Sequence, residues 1–134
     1  GLVESYQMED AEHAIVAMGS VVSTARILVD RMRAEGKKIG LVKVRVWRPF
    51  PSKELCNILK NTKNITVLDK NIVFGVGGAL ATELKSALYS KGDMAISGYI
   101  VGLGGRKCDI EEIEQAVNST EESNEKNRSE WIGF

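Results

Sequence analysis

Apolar residues are distributed along the chain in two alternating patterns, short continuous runs and longer stretches with helical spacing. The runs are typical of strands buried on both faces of a parallel sheet, and they lie at residues 14–18, 39–46, 65–68 and 95–101. After the first run, Val21, Ala25 and Leu28 follow the spacing of a helix that buries one side. Strands separated by helices predict βαβ units with right-handed crossovers. The pattern therefore predicts a three-layer α/β/α sandwich with a mostly parallel sheet.

The two ends of the chain have different patterns. Leu2–Tyr6 alternates apolar and polar residues, which predicts an edge strand. A last short helix is indicated by Ile110, Ile113 and Val117. The residues that follow are polar, so we expect a domain over 1–117 and a flexible tail over 118–134. The apolar end of that tail, Trp131–Phe134, either docks back or contacts a partner.

Composition restricts the class of protein. The 134 residues carry zero net charge, which does not favour nucleic acid as a partner. No apolar run reaches the roughly 18–20 residues of a membrane span, and no signal peptide is recognisable. The two cysteines, Cys56 and Cys108, lie far apart, as expected for free thiols in a cytoplasmic protein. Because the first residue is Gly1, we expect a domain cut from a longer polypeptide.

The charge is unevenly distributed along the chain. From Arg26 to Lys63 there are 11 Lys and Arg residues against 3 Asp and Glu residues. Such a segment is either a solvated face or a docking surface for an acidic partner or an anionic ligand.

Glycines before the third predicted helix form the first candidate site. Gly75, Gly77 and Gly78 stand where backbone N–H groups at a helix N-terminus can face an anion. The stretch departs from the dinucleotide fingerprint, because Leu80 occupies the place of the third glycine and six loop residues replace the tight turn. The alternatives are close packing of the helix on the sheet, a bound phosphate or other anion, and a contact with a partner.

Several residues are interface candidates. Arg45, Arg48 and Phe50 form a cationic and aromatic corner around two prolines, and such residues anchor interfaces. Arg106 closes a glycine-rich loop after the last predicted strand, where it is either a solvated surface residue or an interface residue. Asp69 begins the loop predicted over Asp69–Phe74. We identify no catalytic or metal-binding set, since the only histidine, His13, has no recognisable nucleophile beside it.

Five segments, in order and spacing, carry a family resemblance: GLVESYQMEDAEHAIVAMGS, VRVWRPFP, ITVLDKN, FGVGGALATELKSAL and IVGLGGR. They resemble the transketolase C-terminal-like domain of the 2-oxoacid:ferredoxin oxidoreductases. Within that family the resemblance is greatest to the C-terminal part of the alpha subunit in the pyruvate synthase (pyruvate:ferredoxin oxidoreductase) branch. It covers Gly1 to about Val117, and Lys107 stands where the family pattern has an acid.

The resemblance implies a five-stranded sheet whose antiparallel edge strand is Leu2–Tyr6. It also implies a whole enzyme that converts pyruvate, coenzyme A and oxidised ferredoxin into acetyl-CoA, CO2 and reduced ferredoxin, or the reverse. Thiamine diphosphate and iron–sulfur clusters would lie in other domains, leaving no cofactor on this chain. Its partners would be those domains and subunits, with ferredoxin for the whole enzyme and neither nucleic acid nor membrane.

We therefore expect a non-catalytic domain that serves domain and subunit assembly through Arg45, Arg48, Phe50, Asp69 and Arg106. The alternative is a self-contained regulatory domain that binds an anion or a nucleotide at Gly75–Gly78.

Overall fold

A computed structural model describes residues 2–45, 49–70, 79–89, 92, 94–102 and 108–131. Strands and helices alternate after an initial edge strand. The elements are β1 (Val3–Tyr6), β2 (His13–Ala17), α1 (Val21–Ala34), β3 (Ile39–Val44), α2 (Ser52–Leu59), β4 (Asn64–Lys70), α3 (Ala79–Ala87), β5 (Ala95–Val101) and α4 (Ile110–Trp131). No helix in these ranges combines the length and hydrophobicity that crossing a membrane requires.

The strands form one five-stranded sheet in the order β1-β3-β2-β4-β5. Among the described strands, β1 alone runs antiparallel to its neighbour, with Val3 opposite Val44. The other neighbours pair in parallel. This confirms the predicted α/β class, the number of strands and the antiparallel edge strand at Leu2–Tyr6.

Two apolar layers cover the faces of the sheet. One face packs against α1 and α4, with Leu28, Met32 and Ile113 fully buried. The other packs against α2 and α3 through residues such as Leu55 and Leu84. Right-handed crossovers account for this division, because α1 leads from the central β2 toward one edge while α2 and α3 lead toward the other. The three-layer arrangement predicted from the pattern is confirmed.

Two glycines fit positions that other residues would disturb. Gly36 ends α1 at a φ of 90°, and the N–H of Lys37 returns to the Met32 carbonyl at 3.1 Å. This is the Schellman arrangement, which favours glycine because of its positive φ. In β5, a Cβ at Gly98 would lie 2.5 Å from the Ala81 Cβ, so its absence lets α3 approach the sheet.

The structure differs from the predictions at two places. β4 continues through Asp69 and Lys70, which we had assigned to a loop, because both pair with β5. α4 continues past the predicted boundary at Val117 as far as Trp131, in place of a flexible tail. Hydrophobic periodicity missed this extension because polar side chains hold it: Thr120 is fully buried, and Asn124 donates a hydrogen bond to Asn64 at 2.7 Å.

Candidate functional site

The candidate residues chosen from the sequence are only partly described by the structure. Gly75, Gly77, Gly78, Arg48 and Arg106 lie outside the described residues. The roles assigned to these five therefore stay predictions. Arg45, Phe50 and Asp69 are described, and each lies in a different environment.

Arg45 and Phe50 are placed by different parts of the sheet. Arg45 follows β3 beside the edge strand, where Nη1 of its exposed guanidinium donates a hydrogen bond to Oε2 of Glu4 at 2.5 Å. Its backbone N–H donates to the Leu2 carbonyl at 2.8 Å, which extends the pairing of β1 with β3. Phe50 is partly buried and packs against the α2–α3 core. Arg45 therefore displays its charge at the surface, whereas Phe50 also contributes to the fold.

Asp69 connects β4 to the beginning of α3. Its Oδ1 accepts the N–H of Leu80 at 2.9 Å and its Oδ2 accepts the N–H of Ala81 at 3.2 Å, while the residue is only 7% exposed. The carboxylate thus acts as an N-cap supplied by a neighbouring strand, at the end of the helix where negative charge is favoured. Two amides at the start of α3 are therefore already engaged inside the domain.

Much of the basic middle of the chain is paired with acids inside the domain. Arg31 contacts Glu114, Arg33 contacts Asp10, and both Lys38 and Lys63 contact Glu12. The two guanidinium pairs are the closer ones, at 3.0 and 2.6 Å. The Arg33 hydrogen bond holds the pKa of Asp10 below its usual range. The surface therefore offers a partner less unpaired positive charge than the count of Lys and Arg residues in this segment suggests.

A polar network that sequence reasoning missed lies at the amino edge of the sheet. His13 opens β2, is 3% exposed, and lies between two partners. Its Nε2 is 2.7 Å from Thr66 Oγ1, and its Nδ1 is 3.1 Å from Glu121 Oε2. Because a carboxylate only accepts hydrogen bonds, Nδ1 carries a proton. The network thus joins β2, β4 and α4.

The hydroxyl side of the network continues toward β5. Thr66 Oγ1 is 2.8 Å from Thr120 Oγ1, and both threonines are fully buried. Thr120 in turn lies 3.3 Å from the Tyr99 hydroxyl and 2.9 Å from the Ala116 carbonyl. Among the described residues that are not exposed, every buried side-chain nitrogen and oxygen has a hydrogen-bond partner.

The carboxylate side of the network faces a polar cleft of about 390 Å³. The cleft is lined by Glu12, His13, Lys37, Lys38, Asn64, Glu121 and three less polar neighbours, Met32, Gly36 and Ile39. Lys37 Nζ lies 3.9 Å from Glu121 Oε1, on the oxygen that His13 does not contact. The hydrogen bond from His13 lowers the pKa of Glu121, and the charges of His13 and Lys37 act in the same direction while burial opposes them.

Thr66, His13 and Glu121 have the connectivity of a hydroxyl–imidazole–carboxylate relay. Nucleophilic catalysis needs a hydroxyl that a substrate can reach. Thr66 is fully buried, so the arrangement serves to join elements and to hold a proton. Sequence reasoning missed it because its members are far apart in the chain. The signal was a histidine at the start of a buried strand together with polar residues at helical spacing, Thr120 and Asn124.

The described residues of the network do not form a metal site. Within the part of the chain that the structure describes, no three His, Cys, Asp or Glu side chains are grouped so as to hold a metal ion. Both cysteines are partly buried and unlinked, and Cys56 Sγ lies 3.4 Å from the Ala87 carbonyl between α2 and α3.

Comparison with known proteins gives a consistent family assignment. Residues 11–113 match the family model described as pyruvate:ferredoxin oxidoreductase core domain II. Pyruvate synthase subunit PorA of Methanothermobacter thermautotrophicus is 50% identical over 134 residues, which is 100% of this chain and 34% of that subunit. The chain thus spans about a third of the length of the curated relatives it matches.

Two solved structures share the fold. A 2-oxoglutarate:ferredoxin oxidoreductase from Magnetococcus marinus, with 2-oxoglutarate, coenzyme A and succinyl-CoA bound, superposes with a TM-score of 0.67 at 22% identity, covering 91% of this chain and 19% of that one. A split-gene transketolase, described as an inactive beta4 tetramer, gives a TM-score of 0.69 at 17% identity, covering 87% of this chain and 41% of that one.

Proposed function

Because the chain belongs to the pyruvate:ferredoxin oxidoreductase core domain II family, we propose that it is a non-catalytic assembly domain of an oxidoreductase alpha subunit. The whole enzyme would convert pyruvate and coenzyme A into acetyl-CoA and CO2 with ferredoxin as electron acceptor, or run in reverse. Thiamine diphosphate and iron–sulfur clusters would be held by its other domains and subunits.

The observation that carries the proposal is the alignment of the entire chain with about a third of a pyruvate synthase subunit at 50% identity. The internal roles of the polar residues support it as well. Asp69 caps α3, and His13 lies buried between Glu121 and Thr66. Buried groups engaged in this way are available for holding the fold together rather than for contacting a substrate.

Arg45 is the described residue best suited to contact another part of the enzyme. Its side chain is 49% exposed at the end of β3, and its Glu4 partner is 44% exposed. Exposed ion pairs contribute little to stability, typically about 0.2–1 kcal/mol. The pair can therefore be altered with little loss of fold, and an effect on assembly would reflect its contact with a partner.

The test is an exchange of the two charges in the complete oxidoreductase. The double variant Glu4→Arg/Arg45→Glu keeps an ion pair between β1 and β3 but inverts what a partner meets. The matched control is Arg31→Glu/Glu114→Arg, a pair of similar exposure, 43% and 37%, between α1 and α4. Assembly is measured by native mass spectrometry, and 2-oxoacid-dependent reduction of ferredoxin is measured per intact complex.

We expect the Glu4/Arg45 exchange to reduce the fraction of intact complex while leaving turnover per intact complex unchanged. The control exchange should leave both quantities unchanged. Full assembly with reduced turnover per complex would contradict the proposal, because the domain would then take part in the reaction. Full assembly with normal turnover would show that Arg45 does not contact a partner.

A further inference from the structure

In the second half of α4, Thr120 and Glu121 contact Thr66 and His13 of the sheet, and these four residues are named here the His13 latch. Asn124 makes a separate contact with Asn64. Most of α4 follows residue 113, where the match to the family model ends. Thr120 and Glu121 lie in this extension, whereas His13 and Thr66 lie in β2 and β4. The latch therefore joins the extension to the family core.

We propose that the His13 latch is a pH-sensitive device that holds the second half of α4 more tightly when the imidazole is protonated. Nothing in the assembly role requires such a device, so the inference goes beyond the proposed function.

The hydrogen-bond chain of the latch is satisfied in both protonation states. With a neutral imidazole, the Thr66 hydroxyl donates to Nε2 and its oxygen accepts from the Thr120 hydroxyl. With an imidazolium, Nε2–H donates to Thr66, Thr66 donates to Thr120, and Thr120 donates to the Ala116 carbonyl or the Tyr99 hydroxyl. Protonation thus reverses the direction of the hydroxyl chain without leaving a buried donor unpaired, which would otherwise be costly.

Protonation also changes the contact with Glu121. In both states Nδ1 donates to Glu121 Oε2 at 3.1 Å, but only the imidazolium makes this an ion pair. Hydrogen bonds between ionised groups are roughly twice as strong as neutral ones. Because Glu121 lies on α4 and His13 on β2, the added attraction acts directly between the helix and the sheet.

Other charges near the latch come from each element around it. Lys37 and Lys38 lie between α1 and β3, Glu12 precedes β2, and Lys63 precedes β4. Lys38 and Lys63 are engaged by Glu12, and Lys37 reaches Glu121 only at 3.9 Å. On α4 the facing acid is Glu121 itself, so it is the counter-charge for the imidazolium.

At low pH, protonation of Glu121 ends its ion pair with His13. His13 lowers the pKa of this carboxyl group in the folded protein. A carboxyl group whose pKa is lowered by folding stabilises the folded state when the pH is above the pKa of the unfolded state. That contribution is lost as the pH falls through the pKa of the folded state. The ion pair also needs a protonated imidazole, so it is lost when His13 is neutral.

The test uses the single histidine of the 134-residue chain, whose imidazole NMR signals need no assignment. We expect the midpoint of its titration to move to lower pH in Glu121→Gln, because the variant lacks the negative charge that favours the imidazolium. The matched control is Glu122→Gln, at the next position on α4, where the side chain is exposed. An unmoved midpoint in Glu121→Gln, or an equal shift in Glu122→Gln, would overturn the proposal.

Hydrogen exchange gives the second measurement, on the amides of Thr120 to Asn124. Their protection factors, corrected for intrinsic exchange, should fall roughly twofold to fivefold as the pH rises through the midpoint in the unaltered chain. In Glu121→Gln the protection should stay constant over the same interval, since no ion pair forms. Constant protection in the unaltered chain would refute the latch even if the imidazole titrates.

Discussion

A single carboxylate joins the end of β4 to the first turn of α3. The position of Asp69 at the end of an apolar run was visible in the sequence, but its partners were not, because Leu80 and Ala81 come 11 and 12 residues later. An aspartate in that place is compatible with a loop, a catalytic group or a partner contact. The tertiary structure selects helix capping, and at 7% exposure the group depends on those hydrogen bonds.

The buried position of Asp69 can be compared with an exposed cap of the same chemistry. Asp109 caps α4 by accepting the Glu112 N–H at 3.1 Å at the surface. We expect Asp69→Ala to lower the free energy of unfolding by about 2–3 kcal/mol, since two buried N–H groups lose their acceptor. Asp109→Ala should cost about 1 kcal/mol or less, because water replaces the cap. Urea unfolding measures both losses, provided that the free energy of unfolding depends on urea concentration with the same slope in each variant. Equal losses of free energy in the two variants would contradict the capping account.

The elements of the sheet were predictable where apolar residues carry the structure. Four buried runs predicted β2 to β5, and helical spacing predicted α1 and the beginning of α4. The prediction missed the length of α4, because that helix uses Thr120, Glu121 and Asn124 where the pattern method counts only apolar side chains. It also missed the end of β4, whose last two residues pair with β5 although they are charged. Both differences arise from contacts between segments distant in sequence.

The packing of α3 on β5 makes a prediction at the scale of elements. Gly98→Ala places a methyl group 2.5 Å from the Ala81 Cβ, which should cost about 1–3 kcal/mol in the free energy of unfolding. Ala81→Gly should cost about 1 kcal/mol through the helix propensity of glycine. The double variant should be less destabilised than the sum, because it restores the space.

A double-mutant cycle by urea unfolding gives the coupling between the two positions. Additive losses would show that Gly98 is there for a reason other than the approach of α3.

At the scale of the whole molecule, the buried side-chain polar groups of the described residues find their partners inside the domain. Its charged surface groups are extensively paired, as Arg45 is with Glu4 and Arg31 with Glu114. Interface residues were the least predictable part from the sequence, because an interface is defined by a partner whose surface the sequence does not contain. Residue type and exposure favour Arg45, while Arg48 and Arg106 stay predictions. A whole-enzyme role therefore rests on the family to which the chain belongs.

The most direct test of the assembly role is a calorimetric titration of thiamine diphosphate with Mg²⁺ into the 134-residue chain. The same titration into the complete oxidoreductase serves as the positive control. We expect saturable micromolar binding to the complete enzyme and no saturable heat with the chain alone, because the cofactor site would lie between other domains. Micromolar binding to the chain alone would contradict the account, since the domain would then hold the catalytic cofactor itself.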